Sequence, residues 1–256
     1  MTSLKKVVII TGASSGIGRE FALQYAKEKR NEIDEIWLIA RRKEELQKVA
    51  EKCSVHCVVL EGDLQKKTVR SQFKKLLESE KPKVQLLFNG AGYGKIGKVV
   101  ENKPEDVEGM TMLNVVALSD ITRMVLPYME RNGSIVNMAS SAAFLPQPDF
   151  GIYAATKSYV LSFSRALRRE CIKDQIWVTA VCPGPVKTEF FQVAQEGKPS
   201  PWYKKFFYVD CTKMVRYTIR DVNNRKELSI YSLPMKMLYV LSKLMPHSFL
   251  MKIISG

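Results

Sequence analysis

The sequence predicts a single doubly wound α/β domain, with a seven-stranded parallel sheet and helices on both faces. Short β-branched runs alternate with helix-length amphipathic segments, the pattern of βαβ units. The 256 residues, 46% hydrophobic and 26% charged, supply one full core and do not call for two. No internal repeat or low-complexity segment interrupts the alternation.

Taken in chain order, the strands are expected at residues 7–11, 35–40, 55–60, 84–88, 134–137, 177–182 and 227–232. Helices are expected at 17–29, 43–52, 66–79, 105–113, 117–131 and 153–173, with a further one around 210–219. Residues 190–208 depart from the alternation, mixing Gly197, Pro199 and Pro201 with Phe190, Phe191, Trp202, Tyr203, Phe206, Phe207 and Tyr208. Aromatics beyond a strand end suggest a lid over residues 190–213, and an ordinary loop with a short helix packed on the core is the plainer alternative. After the last strand, residues 233–256 carry apolar side chains at helical spacing with scattered lysines. Such a segment can cover a lipophilic pocket, pack a subunit interface or lie on a membrane. Docking on its own domain or on a neighbour is preferred to membrane contact.

The net charge of +14 is spread from Lys5 to Lys252 and is not gathered into an arm. It suits a soluble basic surface, or attraction to phosphates, acidic substrates or carriers, or anionic membrane. Without a nucleic-acid motif beside it, nucleic acid is not an expected partner. No run reaches about 18 apolar residues, so a spanning helix is not expected. The apolar run Val7, Val8, Ile9, Ile10 is too short for a secretory signal. Five cysteines without a CxxC pair read as reduced thiols of a cytoplasmic protein, and two histidines leave little material for a metal site.

Immediately after the first strand comes Thr11-Gly12-Ala13-Ser14-Ser15-Gly16-Ile17-Gly18, with a helix opening at its end. Glycines permit the tight turn and let backbone N–H groups approach a pyrophosphate at a helix N-terminus. This is the phosphate turn of a Rossmann-type domain, with Gly12, Ser14, Ser15, Gly16, Ile17 and Gly18 as cofactor contacts. The second strand ends in Ala40-Arg41-Arg42, where a carboxylate would select the unphosphorylated ribose. Two guanidiniums there favour a 2′-phosphate, hence NADP(H), although Arg41 and Arg42 can also simply open a solvated helix face. Asp63 and Leu64 close the third strand, Asp63 within reach of an adenine amino group. Asn89, Gly90, Ala91 and Gly92 close the fourth, where the chain can pass close to the cofactor or form a plain turn.

Tyr153 and Lys157 stand four residues apart, one turn apart on one helix face. A neighbouring ammonium is expected to stabilise the phenolate and lower the tyrosine pKa, as acid–base work near neutrality requires. Ser140 lies thirteen residues upstream at the end of the fifth strand, and Ser141 adjoins it.

The Thr11-to-Gly18 turn, Asn89 to Gly92, Asn114, Ser140, the Tyr153/Lys157 pair and Pro183-Gly184 together resemble the short-chain dehydrogenase/reductases in order and spacing, over residues 7–232. The resemblance implies that Tyr153 protonates or deprotonates the substrate oxygen while Ser140 holds it. Lys157 would contact the nicotinamide ribose, and Asn114 would hold a water in a proton relay. Pro183, Gly184, Val186 and Thr188 resemble the stretch that orients the nicotinamide. One departure is Gly90, where the family commonly has a second asparagine; it should alter a turn more than the chemistry.

The expected activity is hydride transfer between NADP(H) and a ketone or secondary alcohol. The aromatic segment and the Met-rich C-terminal stretch tilt the substrate toward a hydrophobic one, steroid-like or acyl-chain. A homodimer or homotetramer is the expected assembly. A catalytically silent NADP(H)-sensing module is the alternative, against which the intact Ser140, Tyr153 and Lys157 argue.

Overall fold

The computed structural model describes residues 4–195 and 208–250. Seven parallel strands form one sheet in the order β3-β2-β1-β4-β5-β6-β7. They are β1 (Lys6–Thr11), β2 (Glu35–Ala40), β3 (His56–Glu61), β4 (Lys83–Asn89), β5 (Met129–Met138), β6 (Trp177–Val181) and β7 (Leu228–Ser229). The predicted doubly wound architecture is therefore the observed one.

Val7, Val8, Ile9 and Ile10 of β1 are wholly buried, as a central parallel strand with helices on both sides demands. Alternate residues feed two cores. Val8, Ile10, Leu86 and Phe88 join Phe21 and Tyr25 of α1 (Gly16–Lys29) on one face. Val7, Ile9, Leu87 and Ile135 meet Phe73 and Leu77 of α3 (Lys67–Glu80) and Ile121 and Val125 of α5 (Leu118–Val125) on the other. The Phe21 and Phe88 rings stack at 4.2 Å. Each such buried aromatic contributes about 2–3 kcal/mol over an exposed one.

The order reverses between β1 and β4, so Thr11 and Asn89 lie side by side where the two halves of the sheet diverge. Ligands of open α/β sheets bind in this crevice, beyond the carboxyl ends of the strands. α2 (Lys43–Ala50) follows β2, and α6 (Gly151–Glu170) packs against β6.

Three expectations of extent are corrected. The helix expected at 117–131 ends at Tyr128, because Pro127 cannot continue the hydrogen-bond ladder and Met129 pairs with Val84 as the start of β5. That helix is also joined to the one before it: α4 (Pro104–Thr111) runs through a π-helical turn, Met112–Ala117, into α5. The combined run Pro104–Tyr128 has the length and apolarity of a spanning helix, yet over half of its apolar window is buried in the protein. The last strand is only Leu228–Ser229, against the expected 227–232.

Beyond β6 come α7 (Glu189–Gln195), α8 (Cys211–Asn223) and α9 (Leu233–Leu244). The lid expected at 190–213 falls partly outside the described residues. Its described parts are α7, the bridge of Val209 to Val186 and the start of α8. Of the C-terminal segment at 233–256, residues 251–256 lie outside them as well.

Candidate active site

The turn after β1 is built for close approach. Gly12 and Gly16 have φ of +70° and +53°, the left-handed region that glycine enters without strain. A Cβ on Gly12 would stand 2.7 Å from the Ala91 nitrogen, and one on Gly18 would strike the Gly12 carbonyl oxygen. Ser15 makes no side-chain cap to α1, and no acidic residue stands in the first turn. The leading N–H groups and the helix dipole are thus left to an anion. Thr188 lies over the same turn, its Cβ 3.4 Å from where a Gly16 side chain would begin. This cradle fits the pyrophosphate of a dinucleotide.

Thr11 locks the two switch-point strands together. Its hydroxyl accepts from the N–H groups of Gly90 and Ala91 at 3.1 and 3.2 Å. Gly90 departs from the family pattern for a packing reason. A side chain there would collide with the Phe88 ring and stand 2.7 Å from the Thr11 carbonyl oxygen.

Asn89 has a structural part as well as its expected place at the crevice. Its side chain is buried and donates to Thr122 Oγ1 at 2.9 Å and Asn137 Oδ1 at 2.8 Å, tying β4 to α5 and β5. The amide nitrogen thus braces the sheet, while Oδ1 is buried with no hydrogen-bond partner among the described residues. Asp63 keeps its carboxylate at the end of β3, accepting from the Gln65 N–H at 3.0 Å. Leu64 is buried, and its carbonyl accepts from Arg70 Nη1 at 2.6 Å. Arg41 and Arg42 are exposed after β2, and Arg42 pairs with Glu189 of α7 at 2.9 Å.

Tyr153 and Lys157 are buried on α6, which ring packing holds in place. Phe150 stacks on the Tyr153 ring at 4.3 Å and Phe190 tilts against it at 5.4 Å. Ser140, not Ser141, is the serine that acts on the phenol, opposing the effect of burial. Ser140 Oγ accepts from the Ala142 N–H at 3.1 Å, so its own proton remains available to donate. Ser141 instead donates its N–H to the Pro183 carbonyl, tying this turn to the chain after β6.

Burial pushes the Tyr153 phenol up to about 12, opposed by Ser140, and pushes the Lys157 ammonium down to about 8. The expected lowering of Tyr153 by Lys157 is thus not what this geometry produces. Lys157 Nζ donates to the Met138 carbonyl oxygen at 2.7 Å and lies 5.6 Å from the Tyr153 ring centre, while desolvation dominates at both groups.

Asn114 sits in the π-helical turn, wholly buried. Its Oδ1 accepts from the Tyr93 N–H at 3.1 Å, while its Nδ2 donates to the Tyr93 carbonyl at 2.9 Å and to Thr156 Oγ1 at 3.0 Å. The side chain is therefore a clamp between the chain after β4 and α6. A Cβ on Gly92 would stand 2.8 Å from Asn114 Oδ1 and 3.4 Å from Lys157 Nζ, so glycine lets these two groups approach.

Tyr93 and Thr156, both bonded to Asn114, adjoin the site and carried no signal of their own in the sequence. Gly94 belongs to it too, since a side chain there would meet the rings of Tyr153 and Phe150. Pro183 is buried, and Gly184 lies beneath Met235 of α9, 2.9 Å from Met235 Cγ to an added Cβ. Val186 is buried beside Val209.

The comparisons agree with this geometry. Residues 6–199 match the family model described as short chain dehydrogenase. The NADP-dependent 3-hydroxy acid dehydrogenase of Schizosaccharomyces pombe is 33% identical over 199 residues, covering 75% of this chain and 76% of that protein. The 11-beta-hydroxysteroid dehydrogenase 1A of Arabidopsis thaliana is 34% identical over 228 residues, covering 85% of this chain and 59% of that one. A short-chain dehydrogenase from Sphingobium yanoikuyae, solved in complex with NADPH, superposes with a TM-score of 0.77 at 28% identity, covering 90% and 89% of the two chains. With a glycine cradle at the switch point and a serine, tyrosine and lysine converging beside it, this chain belongs to the short-chain dehydrogenase/reductase family of nucleotide-binding oxidoreductases.

Proposed function

We propose that the chain transfers a hydride between NADP(H) and a hydrophobic ketone or its secondary alcohol, with Tyr153 as the general acid–base. The observation that carries this reading is buried Tyr153, acted on by Ser140 and walled by apolar side chains: Met110, Ala142 and Phe150, with Ile96, Ile152 and Phe190 against them. The nicotinamide, when bound, supplies or accepts the hydride. In reduction, Ser140 donates to the carbonyl oxygen, and Tyr153 delivers its proton to that oxygen as negative charge develops there. A phenol near 12 holds its proton until that charge appears. Lys157 provides positive charge under the ribose side of the site. Asn114 keeps Tyr93, Thr156 and hence the first turns of α6 in register, with one Oδ1 lone pair left for a water on the proton's path.

Support for the apolar substrate comes from this wall and from the relative whose name specifies a hydroxysteroid. Arg41 and Arg42 at the end of β2 support NADP(H). The test is nicotinamide absorbance with NADPH and with NADH over ketosteroids, β-ketoacyl thioesters, aldehydes and sugar ketones. Turnover of an apolar ketone with NADPH is expected, and a preference for sugar ketones would overturn the substrate class. Replacing Arg41 by Asp is expected to lower kcat/KM for NADPH by about 10- to 100-fold, the worth of one charge-assisted phosphate contact, and to spare NADH. Equal losses with both cofactors would show that Arg41 only shapes the helix start.

A further inference from the structure

One side of α9 has no counterpart among the described residues. The helix docks through Met235, Leu238 and Tyr239, which pack with Phe144, Ala180 and Ile230, and through buried Ser242. On the opposite side Leu233, Met237, Val240, Leu241 and Leu244 are 40–76% exposed. The spacing 233, 237, 240, 241, 244 places them in one helical stripe. The helix thus has two apolar faces, one docked and one open, with Lys236 and Lys243 at one boundary between them. An exposed stripe of this size marks a contact surface.

Charge selects the occupant. No acidic residue follows Glu227 in the sequence, and the chain carries +14 overall. Lys236 donates to the Tyr217 hydroxyl at 3.1 Å, and Arg220 and Lys226 of the adjoining surface lie 4.5 and 6.0 Å from the same ring centre. Lys226 is neutralised by Asp221 at 2.8 Å, which leaves Arg220, Lys236 and Lys243 as the positive border of the stripe. Two copies of the chain packed on this face would bring two such borders together with no carboxylate from residues 228–256 between them. An anionic headgroup layer matches both features: apolar side chains enter the acyl boundary while lysines and arginine extend to phosphates.

We propose that α9 docks this protein on an anionic lipid bilayer, lying in the plane of the interface with its open apolar stripe inserted. The helix also reaches the candidate active site, through Met235 over Gly184 and through Tyr239, whose ring centre is 5.0 Å from that of Phe144. On the reading of a hydrophobic substrate given above, docking puts the site beside the phase in which such a ketone collects.

The test is co-sedimentation of the full chain with vesicles of phosphatidylcholine alone and with added phosphatidylserine, with sedimentation equilibrium of the protein in parallel. Binding to the phosphatidylserine vesicles is expected, weakened by salt and absent from phosphatidylcholine alone. The double replacement Met237→Glu with Leu244→Glu is expected to reduce it tenfold or more, with an unchanged circular dichroism spectrum and melting temperature. Lys236→Glu with Lys243→Glu is expected to reduce it by about fivefold per charge. The proposal is overturned if the wild-type chain ignores phosphatidylserine vesicles or if the Glu variants bind as it does. It is equally overturned if the chain is a dimer that the Met237 and Leu244 replacements dissociate, since a second copy then covers the stripe. No readout involves turnover, so an error in the substrate assignment would leave these results unaffected.

Discussion

Replacing Tyr153 by Phe is expected to lower kcat about 10²- to 10⁴-fold while the dissociation constant for NADPH stays within a few-fold of wild type, because the change removes one proton donor and no packing. The ring remains stacked between Phe150 and Phe190, so α6 keeps its position. Stopped-flow turnover together with cofactor fluorescence separates the two quantities. Retained turnover would remove Tyr153 from the chemistry and favour a dinucleotide-sensing protein. Loss of cofactor binding along with turnover would show that the hydroxyl shapes the site. The pH dependence adds a second check. With the phenol pushed up to about 12, the protonated form needed for reduction persists through the alkaline range. The reductive limb is therefore expected to fall near pH 8, where Lys157 loses its charge, and to show no separate step at the pH where an ordinary tyrosine begins to ionise.

Lys157→Met is expected to abolish activity and yet to stabilise the protein at neutral pH. Burial holds the ammonium at about 8, below the 10.5 of an unfolded chain, so the folded state disfavours its charge. The unfolded chain binds more protons than the folded one between those values, so wild-type stability rises with pH across the window from about 8 to about 10.5. Below pH 8 the penalty is present in full, worth about 3 kcal/mol, and loss of the bond to the Met138 carbonyl gives back about 1. The net gain is about 2 kcal/mol at pH 7, a rise of roughly 4–8 °C in Tm. Calorimetry of both chains at pH 7 and pH 10 decides it. The advantage of the variant should shrink as pH rises, and an equal or lower Tm at pH 7 would mean that the ammonium is better solvated than its burial implies.

Most of the sheet was legible because its signals are local. β2 matches its expected bounds, and β1, β3 and β4 differ by one or two residues, since continuous β-branched runs in a buried parallel sheet leave little freedom of extent. β5 was seen only in its regular part. Residues 130–133 bulge between the pairings of Met129 with Val84 and Ser134 with Leu86, a feature that exists only in relation to the neighbouring strand. The π-helical turn at Met112–Ala117 was invisible for a similar reason. Asn114 makes its bonds to Tyr93 and Thr156, 21 and 42 residues away, and no helical periodicity encodes those partners. The bonds of Asn89 Nδ2 to Thr122 and Asn137 were equally illegible, since their partners lie 33 and 48 residues away.

The sequence by itself determined the fold class, the glycine turn at the head of α1 and the Tyr153–Lys157 spacing, because periodicity, turn chemistry and an i, i+4 relation are properties of short stretches of chain. Only the tertiary structure decided that Lys157 donates to the Met138 carbonyl, that Arg42 is paired with Glu189, and that α9 turns one apolar face inward and leaves the other exposed. Each of these depends on which distant side chains share one desolvated volume, and burial, which sets both the pKa values and the exposed face, is defined only once the chain has folded.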